Sequence, residues 1–530
     1  MQIILRVNQN LMKRGMEMTA TESNICIMIS IVVYLIGMLV VGAICSKKNS
    51  TADDFYLGGR KLGPIVTAMS AEASDMSSWL LMGLPGLAYL SGTADAGWTA
   101  IGLAIGTYVN WLIVAKRIRR YSHISGNAIT IPDFFSNRYR DNSNIIMVLS
   151  AAIIIIFFVP YTASGFAACG KLFASLFGVN YFAAMIVSAF VIVGYTALGG
   201  FLAASTTDLI QSIVMTAALI IVLAFGVHVA GGVEAVINNA KDLPGYFSMS
   251  LKYDIATNSA VEMSFISKVS TIAWGLGYFG MPHILLRFMA IEDHNKLTLS
   301  RRVATVWVVI SLAVAIFIGV VGLGMTNAGA IEFLEGTASE TIIVEASALL
   351  STYGVIPALL AGVILAGILA STMSTADSQL IAASSAVSKN IFGVLKIKHE
   401  GKASMIAARA TLIVISVIAA FLARNPDSSV FGIVSFAWAG FGASFGPVVL
   451  FALFWRRSNR FGAIAGLLVG GIMVFVWKYL VRPMGGVWDV YELLPAFIAA
   501  SAAIIIVSLL TEEPSKEIVE EFDRVSSLKD

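Results

Sequence analysis

Glu72 and Asp75 lie where carboxylates are expensive. They belong to the stretch SAEASDMSSWLLMGLPG, Ser70 to Gly86, inside an apolar run from about Leu62 to Leu90. A run of about 20 apolar residues crosses a bilayer as a helix. A charge at bilayer depth costs on the order of 3 kcal/mol even on lenient insertion scales. The same stretch carries the hydroxyls of Ser70, Ser74, Ser77 and Ser78 and a Gly83-Leu84-Pro85-Gly86 break. A polar, interrupted span that keeps such a charge is a candidate ligand or ion site; the alternative is that Asp75 is a satisfied structural carboxylate.

A second set of oxygen donors lies far along the chain. From Ile368 the sequence reads ILASTMSTADSQLIAASS, and Ser371, Ser374, Thr375 and Ser378 recur at i, i+3, i+4 and i+7. That spacing puts four hydroxyls on one helix face. Such a face glues helices together or offers hard oxygen ligands to a small monovalent cation such as sodium. An interrupted helix adds the carbonyl oxygens such an ion also takes. The weaker candidates each have a plain reading. Asp208 follows Ser205-Thr206-Thr207 and fits a helix N-cap or an ion path. Asp377 fits an interfacial carboxylate better than a ligand. Arg60 fits a positive anchor. Tyr161, Trp274 and Tyr278, near helix breaks, and Trp438 and Ser444, in a Gly-rich stretch, fit helix packing or the wall around an organic substrate.

The elements that must position these groups are membrane helices. The chain is 58% hydrophobic and 13% charged, whereas soluble domains are about 45–50% apolar and 25% charged. Apolar runs fall at about 23–45, 63–92, 97–115, 144–173, 180–198, 207–230, 264–290, 303–325, 355–390, 404–423, 429–455, 461–481 and 490–510. These thirteen runs, numbered here as spans 1 to 13, predict an all-α integral membrane protein, because unsatisfied backbone cannot face lipid. The expected organisation is a polar extension over 1–22, an uncleaved first span, one transmembrane domain over 23–510 and a charged tail over 511–530. That tail is too short for a catalytic domain. Basic residues concentrate in alternate loops (Lys47, Lys48, Arg60, Lys61; Lys116 to Arg140; Arg287 to Arg302; Lys389 to Lys402; Arg456 to Arg460). The other loops hold few, so the N-terminus is expected outside and the C-terminus in the cytoplasm.

Span 2 is broken by its Ser/Asp stretch and by Gly83-Leu84-Pro85-Gly86, and span 7 by Gly275-Leu276-Gly277-Tyr278-Phe279-Gly280-Met281-Pro282. Spans 2 and 7 are five spans apart, so spans 2–6 (about 63–230) and 7–11 (about 264–455) would be two units of opposite orientation. Paired broken helices in inverted halves point to a transporter site, against the plain reading that Gly and Pro are common in membrane helices. Five dispersed histidines and three scattered cysteines give no metal-site or disulfide pattern. No nucleophile–base pair or nucleotide loop suggests an enzyme, and no nucleic-acid partner or cofactor is expected. A channel would need a pore ring, and a sensor an output domain.

The motifs SAEASDMSSWLLMGLPG, WGLGYFGMPHILLRFMA, STMST and SFAWAGFGASFGPVVLFALFW resemble those of the sodium/solute symporter family. The similarity runs in order from about Val32 to Leu510. It implies an inverted five-plus-five repeat fold, with one extra helix before it and two after. It further implies a bacterial cytoplasmic-membrane carrier with no obligate protein partner. Sodium would sit between spans 2 and 9, on the carbonyls of Ala73, Met76 and Ser371 and the hydroxyls of Ser374 and Thr375. Substrate would bind among spans 2, 4, 7 and 11. Asp75 and Ser77 match coupling positions; Tyr161, Trp274, Tyr278 and Pro282 match substrate positions; Arg60 and Asp208 match the ion pathway. The motifs are most similar to those of proline-transporting members, which implies L-proline and Na+ as the transported pair. Ser78 replaces a glycine of that pattern and Met281 a glutamine, so another small amino acid or a carboxylate is the alternative substrate.

Overall fold

The computed structural model describes residues 19–47, 51–397, 402–425 and 429–527. The extension up to residue 18, Lys48, Lys398, His399 and the last three residues of the tail lie outside the described residues. Among those described, ten continuous helices are long and apolar enough to cross a membrane. Span 7 is not among the ten because its helix is interrupted, and span 2 because its Ser-, Glu- and Asp-bearing stretch makes it too polar. Spans 5 and 6 count once, because the helix Tyr181–Val229 continues through both. The chain was expected to break between them, near 199–206. Instead Gly200 turns the helix locally at φ 58°, a left-handed value that glycine adopts without strain, and the helix resumes.

The remaining spans follow the apolar runs. They cover Ala20–Ser46, Thr93–Val109 with a wider turn into Ala115–Ile124, and Ile145–Phe177. Next come Leu297–Asn327, Val355–Ser385, Lys402–Leu422, Val430–Phe454, Arg460–Val476 and Leu493–Leu510. Their starts use expected caps: Thr19 with Glu22, Asn180, Ser429 and Asn459 each accept a backbone N–H of the first turn. Large apolar side chains remain exposed around the outside, Phe190 and Leu510 among them, as suits a surface that faces lipid. A short hairpin, Leu251–Asp254 paired with Ser259–Glu262, stands in the loop before span 7.

Span 9 is the centre of the molecule. It is buried from Ile364 to Ser385 and packs against spans 1, 2, 4, 5–6 and 10. The polar face read from its sequence is thus an interior face. Span 11 packs on spans 4, 12 and 13 and on the interrupted part of span 7. The basic-loop ends of the two broken spans are tied together: the Leu62 N–H donates to the Ala290 carbonyl (3.2 Å) and the Glu292 N–H to the Leu62 carbonyl (3.0 Å).

Candidate functional site

Span 2 is helical over Pro64–Ser78, passes through a π turn at Trp79–Gly83 and resumes over Leu84–Ser91. Of the two interruptions predicted, the break is at Ser77 (φ 47°, ψ −171°) in the Ser/Asp stretch, not at the Gly-Pro cluster. Pro85 is harmless because it falls in the first turn of the resumed helix, where no N–H is needed. A serine held at positive φ costs on the order of 1–3 kcal/mol. Its own hydroxyl helps hold it, accepting the Trp79 N–H at 3.1 Å. Span 7 breaks where its glycines predict: a helix over Phe265–Ile272, a tighter 3-10 turn over Ala273–Phe279, extended Met281, then a helix from Pro282 to Ala290. Gly277 allows that turn to touch span 11. A Cβ there would lie 1.9 Å from Trp438 Nε1.

The two breaks face each other across a small cavity. Asp75, Met76, Trp79, Leu103, Tyr161, Trp274, Val434 and Trp438 line it. Its volume is about 10 Å³, room for about one water, so an amino acid enters only if the walls part. Tyr278 donates its hydroxyl to Asp75 Oδ2 at 2.6 Å and meets Trp438 edge-on at 5.1 Å. Trp438 Nε1 in turn donates to the Trp274 carbonyl at 2.7 Å. The Tyr161 hydroxyl comes within 3.5 Å of the Asp75 carbonyl. Trp79, which the sequence reading passed over, lines the cavity, and its Nε1 has no partner among the described residues.

Beside the break lies the oxygen cluster. Ser374 Oγ donates to the Ala73 carbonyl (2.8 Å) and reaches the Ser371 carbonyl (3.2 Å); Thr375 Oγ1 donates to the same Ser371 carbonyl (3.1 Å). Ala73, Ser371 and Ser374 are fully buried and Thr375 nearly so. Met76, one turn on from Ala73, belongs to the cavity wall. Span 2 thus presents one carbonyl to span 9 and a side chain to the cavity within a single turn.

Other predicted residues stand elsewhere. Pro282 starts the second half of span 7 and, like Met281 and Ser77, is not among the cavity's lining residues. Ser444 is buried away from it, against Gly470. Asp208 is no N-cap. It lies mid-helix, fully buried, accepts from Ser70 Oγ (2.6 Å) and pairs with Arg287 (3.1 Å). Asp377 is not interfacial either. It is wholly buried and accepts from the Tyr195 hydroxyl (2.8 Å) and Ser378 Oγ (3.0 Å).

Arg287, counted in the sequence as a loop cation, is 1% exposed. It joins spans 2, 6 and 9 through Ser70 (3.0 Å), Asp208 and Ser378 (2.5 Å). Removing one partner of a buried pair like this costs on the order of 3–5 kcal/mol. Arg60 is more than an anchor. Its guanidinium donates to the carbonyls of Met289 (2.6 Å) and Ala128 (2.7 Å), clamping the start of span 2 to the end of span 7.

On the opposite side of the cavity an aromatic layer closes the path. Trp274 stacks on Tyr491 (5.1 Å between ring centres) and on Trp79 (5.7 Å), and Phe431 packs on both tryptophans. Beyond it a vestibule of about 220 Å³ is lined by Asp95, Lys252, Arg482, Asp489 and neighbours. The Asp95–Lys252 (2.8 Å) and Arg482–Asp489 (2.9 Å) ion pairs stand at its wall. A cavity closed on both sides, between two broken helices, is the arrangement of an alternating-access carrier.

The comparisons agree with this geometry. Residues 55–470 match the model of the sodium:solute symporter family. The chain is 39% identical to the sodium/proline symporter of Salmonella typhimurium, over 94% of its own length and 96% of that protein's. It is 39% identical to the osmoregulated proline transporter OpuE of Bacillus subtilis, over 92% and 96%. Among solved structures, it resembles a Na+-coupled sialic acid symporter in a substrate-bound outward-open state. The TM-score is 0.74 at 16% identity, covering 93% of this chain and 99% of that one, a likeness that shows the fold. With its two interrupted helices, central span 9 and match over most of its length, the chain belongs to the sodium:solute symporter family.

Proposed function

We propose that this protein is a sodium-coupled symporter that takes up L-proline by alternating access. The observation that carries the reading is the bond from Ser374 to the Ala73 carbonyl beside the Ser77 break, one turn from the cavity. Sodium would rest there on the carbonyls of Ala73, Met76 and Ser371 and the hydroxyls of Ser374 and Thr375. Proline would occupy the cavity, its ring against Trp274, Trp438 and Tyr161. Asp75, tied to Tyr278, would relay the ion's presence to the substrate wall. Ser77 sets the bend of span 2, and Pro282 starts the half-helix behind the wall.

Coupling requires that sodium favour the state that binds proline better. Span 2 is the shared element, because it would contact both. Proline is zwitterionic with no net charge, so one-to-one cotransport moves one positive charge. At 100 mV that charge contributes about 2.3 kcal/mol. Opening to the outside would part the aromatic layer. Opening to the inside would part the Arg287–Asp208–Ser70–Ser378 network and the Arg60 clamp. The chain would cross a bacterial cytoplasmic membrane thirteen times, with the N-terminus outside and the C-terminus in the cytoplasm. Spans 2–6 and 7–11 form the inverted repeats.

Substrate identity is tested by competition against radiolabelled proline in proteoliposomes. Excess unlabelled L-proline should abolish uptake, and other small amino acids and monocarboxylates should leave most of it. Equal or stronger inhibition by one of those solutes would make that solute the substrate.

A further inference from the structure

The outer side of span 3 has no part in the transport reading. It runs through Ile101, Ile105, Tyr108, Leu112 and Ile113, all exposed. Beyond the wider turn at Asn110–Val114, Ala115 and Ile118 are buried, and half-buried Lys116, Arg117 and Arg120 take the outer side. The exposed side thus changes from apolar to cationic within about one turn. Such a change marks the depth of lipid headgroups, where basic pockets beside membrane helices attract anionic lipids.

At that depth a cavity of about 250 Å³ opens between span 3, the end of span 11 and the tail helix Lys516–Ser527. The cavity between the broken helices, by contrast, is about 10 Å³. Leu112, Ile113 and exposed Phe454 form its apolar side, and the three cations form its polar side. The tail closes the third side with Val525 and Ser526, which are uncharged. Two of the tail's acids are turned to other partners, Glu521 to Arg140 and Asp523 to Arg456. Arg117 is held in orientation: its Nη2 donates to Ser526 Oγ, and its guanidinium lies over the rings of Phe454 (5.0 Å) and Phe522 (5.2 Å). A guanidinium carries five N–H donors in a fixed fork, so the bond to Ser526 leaves donors for an oxyanion. Arginine forks and a lysine point charge together suit a phosphate.

We propose that this cavity binds an anionic phospholipid. The phosphate would sit among Lys116, Arg117 and Arg120, and an acyl chain would run along Leu112, Ile113 and Phe454 into the hydrocarbon. The continuity of the cations with the lipid-facing side favours a lipid over a soluble anion, which would gain nothing from the apolar wall. The site depends neither on which solute is carried nor on sodium coupling.

The test is native mass spectrometry of the purified full-length protein, titrated with phosphatidylglycerol, with phosphatidylcholine of the same acyl chains, and with inorganic phosphate. Phosphatidylglycerol should bind about tenfold more tightly than phosphatidylcholine, or better. Lys116→Gln combined with Arg120→Gln should weaken phosphatidylglycerol binding about 25-fold, at about fivefold for each basic residue lost beside an anionic lipid. Lys116→Arg combined with Arg120→Lys keeps the charges and should bind like the wild type. So should Arg302→Gln, which removes an exposed cation on span 8. Equal affinity for the two lipids, unchanged binding in the glutamine pair, or an equal loss in either control variant each overturns the site. Displacement of phosphatidylglycerol by an equal concentration of inorganic phosphate overturns the lipid as its occupant.

Discussion

Asp75→Asn is expected to lose sodium-driven proline uptake while keeping its fold. Asparagine can still accept the Tyr278 hydroxyl, which now meets Asp75 Oδ2 at 2.6 Å, so the cavity wall stays closed. What disappears is the one group between the oxygen cluster and the aromatic wall that could carry a negative charge beside the ion. Coupling energies between two ligands are typically about 1–3 kcal/mol, or 5- to 150-fold. We therefore expect sodium stimulation of proline uptake to fall about a hundredfold, near the upper end of that range. The measurement is initial uptake rate against sodium concentration. Wild-type stimulation in the variant would return Asp75 to a structural role.

The second large effect is on the ion itself. Ser374→Ala removes the hydroxyl that bridges the Ala73 and Ser371 carbonyls at 2.8 and 3.2 Å. Thr375→Ala removes its neighbour. A hydrogen bond or dipole to a charged group contributes about 1.5–3 kcal/mol. Each substitution should therefore raise the half-saturating sodium concentration at least tenfold. Maximal uptake at saturating sodium should change much less, because neither side chain lines the cavity. Unchanged sodium dependence in both variants would remove the ion from this cluster. A uniform fall in maximal rate would assign these hydroxyls to packing alone.

Much of the fold could be read directly, because membrane helices leave long apolar runs and basic loops alternate with poor ones. The hydroxyl face of span 9 and the break in span 7 were legible for the same reason: each is written within one local segment. What was misread depends on partners distant in sequence. Arg287 ends an apolar run and looks like a loop cation, and only packing sets it beside Asp208, 79 residues away. Asp208 follows three hydroxyl residues that imitate a helix start, but Gly200 bends the helix instead of ending it. Glu72 shows no partner in its own segment; only packing brings Thr107 and Trp111, 35 and 39 residues on, to one of its oxygens. The break in span 2 falls at Ser77, in the Ser/Asp stretch that the sequence marks, and not at Gly83 to Gly86. Which serine carries the strain is invisible to a pattern of residue types. The aromatic layer was half seen: Trp274 stood out beside a break, whereas Trp79, Phe431 and Tyr491 read as ordinary apolar residues.

The central claim is that movement of proline through this fold is driven by sodium. The direct measurement is radiolabelled proline accumulation in proteoliposomes holding the purified full-length protein, with an inward sodium gradient and with equal sodium on both sides. A tenfold sodium ratio corresponds to about 1.4 kcal/mol, and an inside-negative potential adds about 2.3 kcal/mol per 100 mV. The account predicts transient accumulation above the external concentration with the gradient, further increased by the potential, and mere equilibration without either. Accumulation that ignores sodium, or no proline entry under any gradient, would contradict it.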